Sequence, residues 1–438
     1  MTENKLDWYR LDNSAKLYPV LMTRFTQSLF RVSMYLKDNI DPKVLNQALI
    51  DIMPRFPSFN VRLRRGLFWY FLEENTEKPK VFLDDGIVLK KIDTRKNKHF
   101  MFTVLYYNSR ISIEVFHALT DGLGGCEFLK ALTCRYLTLL GINIDAEDSI
   151  INLLKLPDVK EIEDSFNANY MKKTFRNFLT KTTSTIRGDD AFRIRGSYYE
   201  LPGYGIIEGI TSANKLLEVA RSKNMTITSY IGAAFLYSVY RNSNMKNFKP
   251  LTLFIPINLR SMFKSVTLRN FVLFSRAGIR HREEGQIFTF EDFAKAIEAD
   301  LEKDLDIENL KERVSGMVYI EKMLLMKVLP LPLKYLFFKI GKLLMSRNSH
   351  TAILSNLGKI KIPESLAPHI EGMALNVNLA KNVPISLALA SVAGKTRITF
   401  TTMIHERVII KEFFNILRAD GLELTIQSNL REDPRYVL

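Results

Sequence analysis

The stretch Ile111-Ser-Ile-Glu-Val-Phe-His-Ala-Leu-Thr-Asp-Gly122 contains a strand pattern, then a turn, then the start of a helix. Apolar residues alternate along Ile111–Phe116, and the similar run Phe102–Tyr107 lies just before it, which predicts a β-hairpin. Gly124–Leu140 has the pattern of a helix, and Gly141 is suited to end it. The order of strand, turn and helix indicates a fold of mixed α and β elements.

His117 is the titratable residue at the centre of this stretch. It continues the alternation of Ile111, Ile113 and Val115, so its imidazole projects from the apolar face of the strand where the strand ends. A histidine in such a water-poor position can act as a general base near neutral pH and activate a hydroxyl or an amine. The alternative is a buried histidine that is satisfied by a backbone carbonyl. The position of His-x-x-x-Asp-Gly between a strand and a helix favours catalysis.

The composition is that of a globular protein. The chain has 438 residues, of which 47% are hydrophobic and 25% charged, and it contains no long Pro-rich or Gly/Ser-rich tract. No glycine-rich phosphate motif opens a helix, which disfavours nucleotide hydrolysis and hydride transfer. The same absence favours an α+β arrangement of layers over a doubly wound sheet.

The net charge is strongly positive. The chain has 62 Lys and Arg residues against 47 Asp and Glu residues, which gives +15 at pH 7. Such a charge attracts polyanions, such as nucleic acid, anionic lipid or the phosphates of coenzyme A. The sequence contains no helix-turn-helix, zinc-finger or RNA-binding motif, so we expect no nucleic-acid partner.

The cysteines and the N-terminus indicate the compartment. Cys126 and Cys134 lie on one predicted helix, about 12 Å apart along its axis, which is too far for a disulfide. No histidines are spaced to complete a metal site with them, so we expect no metal. The N-terminal residues lack the apolar stretch of a signal peptide. These features predict a cytoplasmic protein.

Met317–Met345 is the most apolar region of the sequence. Charged residues and two prolines interrupt it, so no run approaches the ~20 uncharged residues of a membrane-spanning helix. It predicts two amphipathic helices with lysines on one side. We expect them to pack against the body of the protein, and peripheral contact with a membrane is the alternative.

The chain is expected to divide near residue 188. Ile186–Gly205 is rich in Gly, Asp, Arg and Tyr, and we place there the junction between an N-terminal lobe, 1–188, and a C-terminal lobe, 189–438. The second lobe opens with predicted helices at Thr211–Lys223 and Ser229–Arg241. Its predicted strands are Leu251–Pro256, Phe271–Arg280, Ala374–Asn378, Ser386–Val392 and Arg397–Ile404.

The motif from His117 to Gly122 resembles the H-x-x-x-D-G signature of the chloramphenicol-acetyltransferase superfamily, which includes nonribosomal-peptide condensation domains and alcohol-acetyltransferase-like proteins. Other segments resemble that superfamily in the same order along the chain, over about 340 residues: Tyr18–Arg24 with Phe56–Arg62, Phe254–Arg260 and Ser355–Gly358. Phe116 precedes His117 where condensation domains usually carry a second histidine, which disfavours peptide-bond formation.

The resemblance implies a fold and a mechanism. Two α+β lobes, each a two-layer sandwich, would pack as a V with a tunnel between them and His117 midway along it. An acyl thioester on coenzyme A or on a carrier protein would enter from one side, and a small alcohol or amine from the other. His117 would take the acceptor proton during attack on the thioester. No covalent intermediate would form, and no cofactor besides the thioester co-substrate would be needed.

The resemblance also implies roles for other residues. Asp121 would be structural and would pair with Arg260 from the other lobe, because a buried carboxylate needs a cation or hydrogen bonds. Ser355 and Asn356 would lie at the substrate. The oxyanion donor would be Asn356 or the N–H of Gly122, and Asn356 fits a turn role equally well.

Lys359 and Lys361 follow this segment. They are candidates for contact with the phosphates of coenzyme A, and a solvated loop is the alternative.

Three functions fit these observations. We expect an acyl-CoA-dependent O-acyltransferase of the alcohol-acetyltransferase-like branch, acting as a monomer. The second is a free-standing condensation enzyme that uses a carrier-protein thioester and an amine. The third is a catalytically silent member that binds acyl chains, lipids or a partner protein, and the intact His117 and Asp121 argue against it.

Overall fold

Two large β-sheets with helices packed against them form the framework of the protein. The computed structural model describes residues 7–22, 28–145, 152, 155–172, 190–200, 203–245, 247–336 and 349–429. Short 3-10 helices span Met53–Arg55, Val159–Ile162 and Ala367–His369.

The helices and strands alternate in no simple repeat. The strands are β1 (Trp8–Arg10), β2 (Leu29–Leu36), β3 (Val61–Arg65), β4 (Tyr70–Glu74), β5 (Val81–Leu83), β6 (Phe102–Tyr107), β7 (Arg110–Phe116), β8 (Gly205–Ser212), β9 (Leu251–Asn258), β10 (Val272–Ile279), β11 (Ala352–Lys359), β12 (Ile370–Val377), β13 (Ile385–Val392), β14 (Lys395–Thr402) and β15 (Thr425–Ser428). The helices are α1 (Leu17–Leu21), α2 (Pro42–Ile52), α3 (Gly122–Leu139), α4 (Ser165–Ala168), α5 (Ala213–Ser222), α6 (Ile227–Arg241), α7 (Arg260–Phe263), α8 (Phe290–Leu305), α9 (Ile307–Lys322), α10 (Leu324–Val328) and α11 (Val408–Ala419).

The strands form sheets of five, seven and three. Their orders are β12-β2-β7-β6-β5, β10-β9-β11-β13-β14-β8-β15 and β1-β4-β3. Strand β5 is parallel to β6, and β11 is parallel to both of its neighbours, whereas the other named pairs are antiparallel. Helices α2 and α3 pack on the five-stranded sheet, and α6, α8 and α11 on the seven-stranded sheet. The predicted α+β class is confirmed.

The five-stranded sheet positions His117. The apolar faces of β2 and β7 bury Phe30, Val32 and Met34 against α3. On the other face Arg31 lies directly across from Glu114, whose Oε1 accepts from Arg31 Nε at 2.9 Å. Arg31 also donates from Nη1 to Oδ2 of buried Asp84 at 2.6 Å. Because breaking such a buried cluster leaves an uncompensated charge, it fixes the register of the two strands.

Strand β12 comes from the C-terminal part of the chain but joins the five-stranded sheet. It pairs antiparallel with β2, and the chain then returns to the seven-stranded sheet as β13. Asn376 on β12 donates to the hydroxyl of Thr401 on β14 at 3.4 Å, which adds a side-chain link between the sheets. The lobe boundary at 188/189 stays a prediction, because residues 173–189 lie outside the described part of the chain.

Several elements differ from the sequence-based expectations. Helix α3 begins at Gly122 rather than Gly124, because the Asp121 carboxylate caps it by accepting the N–H of Gly124 at 3.1 Å. The helix expected at Thr211–Lys223 begins at Ala213, since the preceding residues complete strand β8. The sequence reading also missed β2, β8, β11 and α8.

The apolar region Met317–Met345 is only partly described. Helix α9 ends at Lys322 and α10 spans Leu324–Val328, whereas residues 337–348 lie outside the described ranges. Within the described residues, no helix is long and apolar enough to cross a membrane. The cytoplasmic location stays a prediction.

Candidate active site

The imidazole of His117 is held between two aromatic rings. Tyr18 on α1 stacks on it at a centroid distance of 4.8 Å and an interplanar angle of 15°. Phe30 on β2 contacts it at 4.8 Å with a tilt of 54°. The backbone N–H of His117 donates to the carbonyl of Ser28 at 2.9 Å, which ties the end of β7 to the start of β2. These contacts fix the position of the ring.

The surroundings of His117 favour the neutral imidazole. Burial lowers the pKa of His117, although the charge of Asp121 and the polar groups of Asn270 and Thr120 act to raise it. Nδ1 is buried and forms no hydrogen bond with any residue that the structure describes. A neutral imidazole has one nitrogen free to accept a proton. The ring therefore has the state that a general base needs near neutral pH.

Asn270 connects the histidine to the N-terminal segment, and the sequence reading missed it. Its side-chain amide donates to the carbonyl of His117 at 2.8 Å and to Oδ2 of Asp12 at 3.3 Å. Asp12 is fully buried, and burial raises the pKa of its carboxyl. Asn270 lies 153 positions after His117, and no local pattern distinguishes it from a loop asparagine.

Asp121 lies at the junction of the two halves of the chain. Its Oδ1 accepts from Nη2 of Arg260 at 2.9 Å and from the N–H of Gly124, and its Oδ2 accepts from the N–H of Phe271 at 3.0 Å. The carboxylate is buried and faces three donors. It is directed into this network and not toward the imidazole, which is the arrangement expected of a positioning residue.

Arg260 is fixed by hydrogen bonds within its own loop. Nε donates to the carbonyl of Thr267 at 2.8 Å, Nη1 to Oδ1 of Asn258 at 3.1 Å, and Nη2 to the carbonyl of Arg269 at 2.7 Å as well as to Asp121. The planar guanidinium thus joins four acceptors. It holds the 258–271 segment against the histidine loop.

Gly124 allows these two segments to approach closely. A Cβ at this position would overlap the hydroxyl of Thr120 and the carbonyl oxygen of Leu268. The Thr120 hydroxyl donates to that same carbonyl. At Gly125 a Cβ would lie 2.8 Å from the ring of Phe30. The glycines after the motif are therefore required for packing between the histidine loop and its neighbours.

The Ser355–Gly358 segment reaches the same loop through one side chain. Leu357 would meet a Cβ at Gly122 at 3.2 Å, so it lies against the start of α3. Asn356 accepts from the N–H of Gly358 at 2.8 Å and donates to the hydroxyl of Thr228 at 3.1 Å. Gly358 has a φ of +69° and lies where the register of β11 against β13 shifts, as in a β-bulge. The bonds of Asn356 hold this irregular part of β11, and none of them contacts His117.

Three solved structures have the same fold along nearly the whole chain. The nonribosomal-peptide-synthetase cyclization-docking bidomain EpoB from Sorangium cellulosum matches with a TM-score of 0.62 and 11% identity, over 94% of this chain and 84% of its own. For the trichothecene 15-O-acetyltransferase TRI3 from Fusarium sporotrichioides the TM-score is 0.59 and the identity 12%, over 96% of both chains. TRI101 from F. graminearum, complexed with coenzyme A and T-2 mycotoxin, matches with a TM-score of 0.56 and 10% identity, over 95% of this chain and 99% of its own.

The chain therefore shares the fold of these two acetyltransferases and of the cyclization-docking bidomain. This confirms the two-lobe α+β fold that the sequence predicts. No protein-family model and no curated protein matches the sequence.

The remaining predicted residues lie along β11 and after it. Ser355 is half-buried and pairs with Ala388 on β13. Lys359 and Lys361 are exposed, and the carbonyl of Lys361 accepts from Nζ of Lys130 at 3.0 Å. The two exposed lysines thus lie at the end of β11 and just after it, beyond the irregular part that contains Asn356.

Among the described residues, neither the cysteines nor any cluster of metal-binding side chains forms a second candidate site. Cys126 and Cys134 are free and buried, and burial raises the pKa of both thiols, which disfavours a nucleophilic role. Cys126 packs with its sulfur 3.8 Å from that of Met373. No cluster of three His, Cys, Asp or Glu side chains suited to a metal occurs among the described residues.

The Asp121–Arg260 pair should show strong energetic coupling. Arg260→Leu leaves a buried carboxylate without its cation, so we expect a loss of about 3–5 kcal/mol in the free energy of unfolding. Asp121→Asn should also destabilise the protein. The double variant should lose about 1–3 kcal/mol less than the two single losses added together, measured by urea unfolding.

The Arg280–Asp300 pair provides a matched control. It joins the same residue types at 2.8 Å, and Asp300 also accepts a backbone N–H, from Gly278, but both side chains are more exposed. Its coupling should stay below about 1 kcal/mol. If the two pairs show equal coupling energies, the burial of Asp121 does not strengthen its interaction with Arg260.

Proposed function

We propose that the protein is an acyltransferase that moves an acyl group from a thioester to a hydroxyl, with His117 as the general base. The observation that carries the proposal is the desolvated imidazole of His117, held between Tyr18 and Phe30 beside a loop that is fixed from both halves of the chain. A hydroxyl is a weak nucleophile while it keeps its proton, and a positioned neutral imidazole removes that limitation.

The proposed reaction proceeds by direct transfer. A nitrogen of His117 accepts the proton of the acceptor hydroxyl while its oxygen bonds to the thioester carbonyl carbon. The tetrahedral intermediate then collapses, the carbon–sulfur bond breaks, and the leaving thiolate receives the proton from the imidazolium. The products are an ester and a free thiol, and the enzyme returns to its starting state without a cofactor besides the thioester co-substrate.

The oxyanion of that intermediate needs a donor. The N–H of Gly122 is the candidate that we favour, because Gly122 is the first residue of α3 and its N–H has no carbonyl partner within the helix. The positive end of the helix dipole adds to this stabilisation. Asn356 is the second candidate, and its bonds to Gly358 and Thr228 support a structural role for it.

Two of the matched structures support coenzyme A as the carrier of the acyl group. One is an O-acetyltransferase, and the other was solved with coenzyme A bound. The cyclization-docking bidomain supports the second candidate, which takes its thioester from a carrier protein and an amine as acceptor. Thiol release measured with acyl-CoA and with acyl-carrier protein separates the two candidates.

Removal of the imidazole should abolish turnover but not folding. His117→Ala is expected to lower kcat by about 10²–10⁴-fold, because the acceptor hydroxyl loses its base. Thiol release from acyl-CoA gives kcat, and circular dichroism checks the fold. His350→Ala is the control, since His350 is also partly buried, packs on Phe254 and has a pKa that burial lowers to about 4. A His117→Ala enzyme that keeps more than about a tenth of kcat would remove His117 from the role of base.

The pH profile should reflect the lowered pKa of His117. Since only the neutral imidazole accepts a proton, kcat/KM should fall as pH drops through that pKa, and the midpoint should lie below the ordinary value of 6.5. Tyr18→Ala admits water to one face of the ring and should move the midpoint upward. A midpoint at or above 6.5 in the unmodified protein would contradict the burial of the base.

Charge reversal at the end of β11 should weaken donor binding if the donor is coenzyme A. Lys359→Glu with Lys361→Glu is expected to raise KM for acyl-CoA several-fold at nearly constant kcat, with an effect that shrinks as salt is added. Lys91→Glu with Lys96→Glu makes the same change in net charge at two other exposed positions and should have a smaller effect. An unchanged KM at low ionic strength would place the donor elsewhere.

A further inference from the structure

In residues 331–336 a charged side chain is buried and two leucine side chains are exposed, which inverts the usual distribution. Lys334 is 0% exposed, whereas Leu333 is 51% exposed and Leu336 is 54% exposed. The structure therefore buries a charged side chain and presents two leucines to the outside on the same face of one helical turn. This arrangement is unfavourable in water, because it desolvates an amine and hydrates apolar surface.

The buried lysine locks this segment onto the hairpin between β3 and β4. Nζ of Lys334 donates to the carbonyl of Phe68 at 2.7 Å and lies 3.8 Å from the ring centroid of Trp69. The N–H of Leu331 donates to the carbonyl of Leu67 at 2.9 Å. The two leucines are therefore exposed on a segment that hydrogen bonds hold against the hairpin.

The hairpin next to this segment also exposes apolar side chains. Leu67, at its tip, is 69% exposed, and Phe68 beside it is also exposed. We call Leu67, Phe68, Leu333 and Leu336 the apolar platform. Four large apolar side chains from two contacting segments exceed the scattered single exposures that are ordinary on a soluble protein.

Basic side chains accompany the platform. Arg64 and Arg65 precede the hairpin tip, and Lys327 precedes the docked segment; all three are exposed. Arg64 pairs with Glu73, and neither Arg65 nor Lys327 has an ion-pair partner among the residues that the structure describes. An exposed apolar surface with flanking cations is complementary to a bilayer that contains anionic lipid.

The platform is also close to the candidate active site. Tyr335, between the two exposed leucine positions and the hairpin, shares a 2.6 Å hydrogen bond with the hydroxyl of Tyr70 and donates to the carbonyl of Pro19 at 3.4 Å. Pro19 follows Tyr18, the residue that stacks on His117. A short series of contacts thus leads from the platform to the imidazole.

We infer that the apolar platform docks on the surface of an anionic lipid bilayer, and that the acceptor is a hydroxyl-bearing lipid taken from that bilayer. The observations that support the docking are the apolar platform and the cations beside it. The class of acceptor rests in addition on the proposed acyl transfer at His117.

Vesicle sedimentation tests the docking. The probe is vesicles made of equal parts phosphatidylcholine and phosphatidylglycerol, with pure phosphatidylcholine for comparison. We expect the unmodified protein to sediment with the anionic vesicles, and Leu67→Ser with Leu336→Ser to lower the partition coefficient by at least tenfold. The control is Leu83→Ser with Ile287→Ser, two strongly exposed apolar residues outside the platform, and it should bind as the unmodified protein does.

A charge variant tests the electrostatic part. Arg65→Gln with Lys327→Gln should weaken binding to the anionic vesicles by about fivefold for each charge, and added salt should reduce the difference. Equal binding to both kinds of vesicle would overturn the anionic preference. No binding, or equal binding by the platform variant, would overturn the docking.

Two further measurements separate this inference from its alternatives. Analytical ultracentrifugation of the unmodified protein and the platform variant should give the same monomer mass; a dimer that the variant abolishes would assign the platform to a second copy of the chain and overturn the inference.

His117→Ala should keep full vesicle binding, so loss of activity with a soluble alcohol tests the proposed function alone. If vesicles bind but no lipid alcohol is acylated by an enzyme that is active on a soluble alcohol, the acceptor assignment fails and the docking stands.

Discussion

The buried carboxylate of Asp121 is the interaction on which the rest of the site depends. It accepts from the N–H of Gly124 at the start of α3, from Arg260, and from the N–H of Phe271 just before β10. A carboxylate without such donors is costly in a dry environment, so the three elements must meet where the charge lies. One negative charge therefore caps a helix, fixes the loop that carries His117 and joins the N-terminal sheet to the opposite half of the chain.

The state of His117 follows from this assembly. With the loop fixed, the imidazole enters the space between Tyr18 and Phe30, and the loss of water lowers its pKa. Asn270 holds the carbonyl of His117 from the opposite half, so its position also depends on how the halves meet. The chemistry that we propose needs a base that is neutral, oriented and poorly hydrated, and each of these properties has a separate structural cause.

The same physical logic explains the surface. Lys334 satisfies its amine through a backbone carbonyl and an aromatic ring, which allows Leu333 and Leu336 to face outward. Tyr335, in the same segment as Leu333 and Leu336, contacts α1, and α1 carries the ring that stacks on His117. The inferred membrane contact and the candidate base therefore belong to one continuous set of packed elements.

The sequence alone determined the local elements and the position of the histidine. The hairpin β6–β7 and the helix after Asp121 follow from alternation and from the glycines at the ends of that helix, which act within a few residues. The sequence analysis missed β2, although Phe30, Val32 and Met34 alternate with polar residues along it, and β11, whose residues show no clear alternation. It did not reveal Asn270 or the inverted segment around Lys334 either. Tertiary structure decided the last two, because Asn270 and Lys334 each bond to a partner more than 100 residues away, and neither alternation nor capping carries information over that distance.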